Sequence, residues 1–196
     1  MRLIGFLSIL LLGASLAACG ERETSFEELL ATAEAGDANA QYAVGIIYQE
    51  GRGVEKDLGK TIAWYEKAAA KGEVNALYTL GYMSHHGIGM AQNFDKAAQW
   101  YRAAGDKGHP KAMFELARLY MRGLGVERSF AEAVRWIEKA ANQDMFEAQW
   151  RMGEIYTSGG VGIESDIEKA KMWYDRAEKG GDLTSDYNPD YRYPPD

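Results

Sequence analysis

The sequence predicts an all-α solenoid of four helix-turn-helix repeats of about 36 residues, closed at its N-terminal end by a capping helix. Three observations predict it. An alanine recurs every 36 residues, at Ala40, Ala76, Ala112 and Ala148. A glycine pair recurs with it in GRGVEKD, GIGMAQN and GLGVERS, and in GGVGIESD with one residue inserted. A tryptophan holds one place in every copy, at Trp64, Trp100, Trp136 and Trp173. A fixed period with two apolar stripes per copy marks stacked helical hairpins, none of which buries its apolar face alone. With 46% hydrophobic and 26% charged residues among 196, the chain has the material for a continuous core and is not disordered as a whole.

The chain opens on MRLIGFLSILLLGASLAAC, in which Arg2 is followed by 16 uncharged residues from Leu3 to Ala18. That run is shorter than the roughly 18 residues of a spanning helix. Its order of charge, apolar run and small residues is that of an export signal, residues 1–18. Cys19, the only cysteine, follows Leu16, Ala17 and Ala18. LAAC resembles the lipobox of bacterial lipoproteins, in which the thiol is joined to a diacylglycerol and the preceding peptide is cut. That resemblance implies lipidation at Cys19, residues 19–24 as a tether, and attachment without spanning. Gly20 lacks the acidic signal associated with inner-membrane retention, so the expected place is the outer membrane, facing the periplasm. Loss of Arg2 leaves 21 Lys and Arg against 29 Asp and Glu, a net charge of −8. This balance disfavours nucleic acid and a polybasic grip on anionic lipid.

Residues 25–36, within SFEELLATAEAGD, read as the second helix of a missing repeat, with Ser25 or Thr24 as N-cap and Glu28 three residues after Ser25. The repeats follow at 37–72, 73–108, 109–144 and 145–182. Each first helix starts near Asn39, Asn75, Lys111 or Glu147 and carries apolar residues at Tyr42, Val44 and Ile47 or their equivalents. The glycine pairs turn the chain. A phosphate cradle needs a preceding strand and a longer glycine fingerprint, and neither is present. The tryptophans keep step with the period, which makes them packing residues opposite Ala68, Ala104, Ala140 and Ala177 and not a cofactor box. Charges on the second helices, such as Glu66-Lys67, Glu138-Lys139 and Asp175-Arg176, read as a solvated convex face on which Lys67 is inert. Residues 183–196, rich in Asp, Tyr and Pro, read as a tail that ends helical structure before Pro189 or folds back on the solenoid.

The stretches ALYTLGYMSHHGIGM and KAAQWYRAAGDKG resemble the Sel-one-like repeats (SLR), tetratricopeptide-like hairpins of about 36 residues, over residues 37 to 182. The resemblance implies a right-handed superhelix whose first helices line a concave groove. Departures are Ser84 where tyrosine is usual, Ala117 where glycine is usual, and the insertion in the fourth loop, which is expected to widen that turn. The subgroup with a disulfide across each hairpin is excluded, because no cysteine follows Cys19.

No catalytic constellation stands out. His85 and His86 are neighbours on one helix and are expected to diverge, so they make no metal site, and Ser84 beside His85 is no nucleophile-base pair. Some first-helix columns change freely from repeat to repeat while the core columns hold. Spaced 4, 3 and 4 residues apart, they share one helical face. They run Asn39, Asn75, Lys111, Glu147; then Ala43, Thr79, Glu115, Arg151; then Ile46, Tyr82, Arg118, Glu154; then Glu50, His86, Arg122, Ser158. By the resemblance they line the groove, and Ile46, Glu50, Thr79, Tyr82, His86, Glu115, Arg118, Arg122, Arg151 and Glu154 are the candidate partner-binding residues. Tyr82 and Arg118 are the expected anchors, with the arginines offering forks to an acidic partner unless Glu115 and Glu154 neutralise them. The expected function is a non-catalytic scaffold or regulator of a bacterial envelope complex, binding a protein or peptide. An immunity-type inhibitor of a toxin and a cell-wall-directed hydrolase are the alternatives. No cofactor, metal, nucleic acid or small-molecule substrate is expected.

Overall fold

The computed structural model describes residues 26–160 and 162–180. Among them are nine helices: α1 (Phe26–Glu34), α2 (Ala38–Glu50), α3 (Leu58–Ala70), α4 (Val74–His86), α5 (Phe94–Asp106), α6 (Pro110–Arg122), α7 (Phe130–Ala141), α8 (Phe146–Ser158) and α9 (Ile167–Gly180). Each helix packs on its neighbours in sequence, giving four hairpins α2/α3, α4/α5, α6/α7 and α8/α9 in a row. The architecture is the all-α solenoid read from the sequence. The first helices start one residue before the expected positions. The signal, Cys19, the tether, the Ser25 or Thr24 cap and the tail lie outside the described residues. No described helix is long and apolar enough to cross a membrane.

Capping chemistry explains why the helices start where they do. Asp57, Asn93, Ser129 and Asp166 occupy one column, and each side chain accepts a backbone N–H three residues on. Asp37, Glu73 and His109 do the same for α2, α4 and α6. Met145, at the fourth place in that column, has no side-chain cap bond. At the other end Gly51, Gly87 and Gly123 close the first helices in the left-handed conformation.

The fourth loop absorbs its extra residue without opening. Gly160 and Ile163 exchange backbone hydrogen bonds of 2.9 and 3.0 Å, forming a small turn. Beyond it Asp166 N–H still donates to Tyr156 O at 2.8 Å, as Asp57, Asn93 and Ser129 do to Tyr48, Ser84 and Tyr120. The expected widening of the turn is therefore not seen at the base of the loop.

The core runs through the stack. Trp64, Trp136 and Trp173 are buried and Trp100 packs partly buried against it. The cations expected to be idle on the outer face are engaged with them. Lys67, Lys139 and Arg176 lie 3.7, 3.9 and 4.7 Å from the ring centroids of Trp64, Trp136 and Trp173. The reading of Lys67 as inert is thereby corrected. A long side chain three residues on covers the outer face of each indole, and Ala103 at that place in the second repeat leaves Trp100 more open.

Both ends of the stack are marked. In α1, Phe26, Leu29 and Ala33 face α2 in the places of Ile62, Tyr65 and Ala69, while Glu28 and Thr32 replace the inner Trp64 and Ala68. This is a second helix with its rear partner removed, as expected. In α9 the change is on the other side. Ile62, Ala98 and Val134 give way to Lys171, and Ala69, Gly105 and Ala141 to Glu178, both exposed. Charges where the next hairpin would sit disfavour further stacking. Ile167 is 63% exposed, whereas Phe130 at the same place is packed against the core.

Candidate functional site

The freely varying columns lie on α2, α4, α6 and α8, and α4 touches α6 directly, so the columns of neighbouring repeats stand side by side. Tyr82 is the most exposed aromatic residue of the described chain, at 43%. Its ring rests against His86 with centroids 4.3 Å apart. His86, Arg122, Glu50 and Glu154 are exposed, and Ile46, Thr79, Glu115, Arg118 and Arg151 are half-buried. Ile46 packs on the core more than it faces water.

The arginines do not present open forks. Arg118 donates through Nη1 to both carboxylate oxygens of Glu115, at 2.9 and 3.1 Å, with both side chains about three-quarters covered. Arg151 pairs with Glu154 at 2.9 Å. The neutralising alternative weighed from the sequence is the one observed, and its cause is the three-residue spacing that puts each pair on one helical face. Glu50 turns to the loop residue Arg52 and to no other member of its column.

The expectation that His85 and His86 diverge is overturned. Their rings stack with centroids 4.5 Å apart and planes 8° from parallel. The backbone directions do differ, but Tyr82 on one side and Phe94 with Tyr101 on the other steer both imidazoles into one layer. Among the described residues no group of three or more His, Cys, Asp or Glu side chains is gathered around a metal-sized space. Burial, and then the neighbouring His86, hold His85 below the usual histidine range. Arg118 and Arg122 of α6 add to this and Glu115 opposes it.

A row of half-buried aromatic residues borders the candidate site. Tyr42, Tyr78, Phe114 and Trp150 occupy one column, next to the candidate residues. Each of the three with a ring partner leans on its own hairpin's second helix: Tyr42 on Tyr65, Tyr78 on Tyr101, Trp150 on Tyr174, at 5.2, 6.0 and 4.8 Å. The signal that finds them is the strict aromatic identity of the column.

His109 joins cap and site. Its Nδ1 accepts Ala112 N–H at 3.1 Å, and its ring stacks on Tyr78 at 4.4 Å. An accepting Nδ1 must be unprotonated, and burial, then Lys111, keep His109 below the usual value of 6.5, against Glu73 and its own backbone bond. A depressed folded-state value makes the contribution complete above the unfolded value and lost as pH falls through the folded one. Between pH 7 and pH 5 stability is expected to fall by about 1 kcal/mol as the cap protonates. Urea melts across that range check it. His109→Asp, which retains an acceptor, should flatten the loss, and an equally steep loss in that variant would refute the assignment to the cap.

With the geometry established, known proteins add the following. The Sel1 repeat pattern matches residues 38–73, 74–109, 110–145 and 146–182. A protective antigen of uropathogenic Escherichia coli with an SLR fold is 36% identical, with a TM-score of 0.76 over 80% of this chain and 33% of its own. A Sel1 repeat protein of Oxalobacter formigenes is 33% identical, with a TM-score of 0.75 over 81% of this chain and 65% of its own. A sel1 repeat protein of Klebsiella pneumoniae is 26% identical, with a TM-score of 0.53 over 80% and 74%. The chain thus spans a third of the Escherichia coli protein and about two-thirds of the Oxalobacter one. The sequence matches no curated protein.

Proposed function

Because the chain belongs to the Sel1 repeat family, we propose that it is a non-catalytic scaffold or regulator of an envelope complex, holding a protein or peptide partner along its first helices. Sel1 repeat proteins are generally protein-binding scaffolds, which supports the class. The observation that carries the site is the exposed Tyr82 ring beside His86, on a column that changes in every repeat while the packing columns hold. An exposed, pre-positioned aromatic ring loses little conformational entropy on binding and is a common anchor. The groove is lined by Ile46, Thr79, Tyr82, His86, Arg118, Arg122 and Arg151, with Glu50, Glu115 and Glu154 setting its charge. The chain is held at the outer membrane, facing the periplasm, by lipid on Cys19. The LAAC stretch supports this anchor, and fatty-acid labelling that persists in Cys19→Ser would disprove it.

The test is affinity capture of the lipidated protein from membranes, followed by titration of the captured partner against variants. Tyr82→Ala is expected to weaken binding about tenfold or more, with an unchanged melt. Arg118→Ala would strand a Glu115 that is about three-quarters covered, so the pair is tested together as Glu115→Gln with Arg118→Gln. Gln99→Ala, exposed on α5, is the control in place of Lys67, which covers Trp64. Full affinity in both groove variants would place the partner elsewhere.

A further inference from the structure

One place in each hairpin joins the end of the first helix to the middle of the second. In the first repeat the Tyr65 hydroxyl donates to Gln49 Oε1 at 2.6 Å. In the fourth, the hydroxyls of Tyr174 and Thr157 lie 3.3 Å apart. In the third, both members are apolar, Met121 and Ile137. The second repeat has Tyr101 and His85 at these positions, edge to face with centroids 6.2 Å apart. Tyr101 is completely buried, and neither its hydroxyl nor His85 Nδ1, also buried, has a hydrogen-bond partner. A buried polar atom without a partner costs about 1–3 kcal/mol.

We propose that His85 is a fixed hydrogen-bond donor on the groove wall for a carboxylate of the partner, its ring locked by the hydroxyl of Tyr101. The two orphaned atoms are complementary when the imidazole carries its proton on Nε2. The Tyr101 O–H then donates to Nδ1, directly or through one enclosed water, as its counterparts donate or share in the first and fourth repeats. The opposite tautomer would leave the hydroxyl proton without an acceptor in a dry place. With Nδ1 so held, Nε2–H is the donor that this half-buried residue has left for a ligand.

Charge around that edge selects the ligand. His86 and Tyr82 stand beside it on α4, Tyr101 and Phe94 lie behind it on α5, and Glu115, Arg118 and Arg122 face it from α6. Arg118 and Arg122 add positive potential at His85 against Glu115, which is committed to Arg118, so an approaching carboxylate meets an N–H donor beside the imidazole and phenol rings. Burial of His85 keeps the imidazole neutral, so the donor and its tautomer persist at neutral pH. The occupant is an acidic stretch of protein, Asp or Glu side chains or a chain terminus. This deepens the groove reading and rests on it.

The test has two arms on the full chain. Ring-nitrogen NMR, with His85 assigned by its loss in His85→Gln, should show Nδ1 unprotonated and Nε2 protonated at pH 7. Tyr101→Phe, which removes only the donor oxygen, should convert this to a tautomer mixture. A wild-type His85 that is mixed or protonated on Nδ1 overturns the proposal with no ligand involved. His85→Gln recreates the Gln49 and Tyr65 pair, so it folds and serves as the second variant. In the other arm, acetylated hexaglutamate should shift the His85 Nε2 signal and hexaglutamine should not. Tyr101→Phe and His85→Met, which has no donor, should each weaken hexaglutamate about fivefold or more, whereas His85→Gln, whose amide accepts from Tyr101 and still donates, should hold it. If Tyr82→Ala weakens the peptide and neither Tyr101→Phe nor His85→Met does, the lock is wrong and the groove stands. If a phosphorylated peptide displaces hexaglutamate at equal charge and binds tighter, or if hexaglutamate leaves α4 and α6 unperturbed, the carboxylate assignment falls, and the groove is then judged on the captured partner alone.

Discussion

Replacing Gly125 with valine is expected to lower stability by about 3–5 kcal/mol, combining backbone strain with overlap against a neighbouring repeat. Gly125 has φ +65°, where a β-branched residue is strained. A Cβ there would also lie 2.2 Å from both C and O of Phe94 and 2.5 Å from Asp95 N. Those atoms are the first turn of α5, in the preceding repeat, so no side chain can yield to make room. Gly53 separates the two causes, because its φ is +72° and nothing stands within 4 Å of the position its Cβ would take. Gly53→Val should therefore cost only the dihedral share, about 1–2 kcal/mol. Denaturant melts of both variants compare them directly. Equal losses would mean that the loop turns the chain without seating one hairpin on the last.

That contrast shows what the sequence carries and what it hides. The glycine pairs, the alanine column and the tryptophans recur at one period, so the hairpins, their order and the capping helix could be read by aligning the chain with itself. Contacts between repeats are not periodic in the same way. Gly53, Gly89 and Gly125 look alike in sequence, yet one faces open space, one a leucine side chain and one a backbone. The candidate site divides similarly. The varying columns were visible, and the Glu115–Arg118 and Glu154–Arg151 pairs follow from spacing. The His85–His86 stack did not, because it depends on Phe94 and Tyr101 arriving from the next helix. Lys67 looked idle for a different reason: its partner, Trp64 on the same helix, offers a ring face, which residue type and charge alone do not display.

The two departures from the repeat pattern have physical causes once columns are compared. Ser84 replaces the tyrosine found at Tyr48, Tyr120 and Tyr156, and it is fully buried with its hydroxyl 3.3 Å from Met90 Sδ. Met90 stands where the other repeats have Val54, Val126 and Ile163. A long, flexible side chain fills the room a phenol leaves. Volume has moved from one helix to the loop beside it.

Ala117 has the sharper explanation, and it yields the other large prediction. At Gly45, Gly81 and Gly153 an added Cβ would come within 2.5, 2.6 and 2.4 Å of the rings of Tyr65, Tyr101 and Tyr174. The third repeat has Ile137 in place of that tyrosine and tolerates Ala117. Gly81→Ala gains about 1 kcal/mol of helix propensity, but the completely buried Tyr101 ring cannot retreat by the ångström required. The net loss is expected to be about 2 kcal/mol, read from urea melts. Adding Tyr101→Ile and His85→Met transplants the third repeat's set and should recover stability to within about 1 kcal/mol of the unsubstituted protein. Tyr101→Ile with His85→Met, leaving Gly81 in place, should by contrast be destabilised by the gap it opens. The coupling between the two changes is the measured quantity, since contacting positions fail additivity where distant ones do not. Losses that simply add would mean that Ala117 and Ile137 share a repeat by coincidence, and that the glycine column answers to the helix backbone and not to the ring above it.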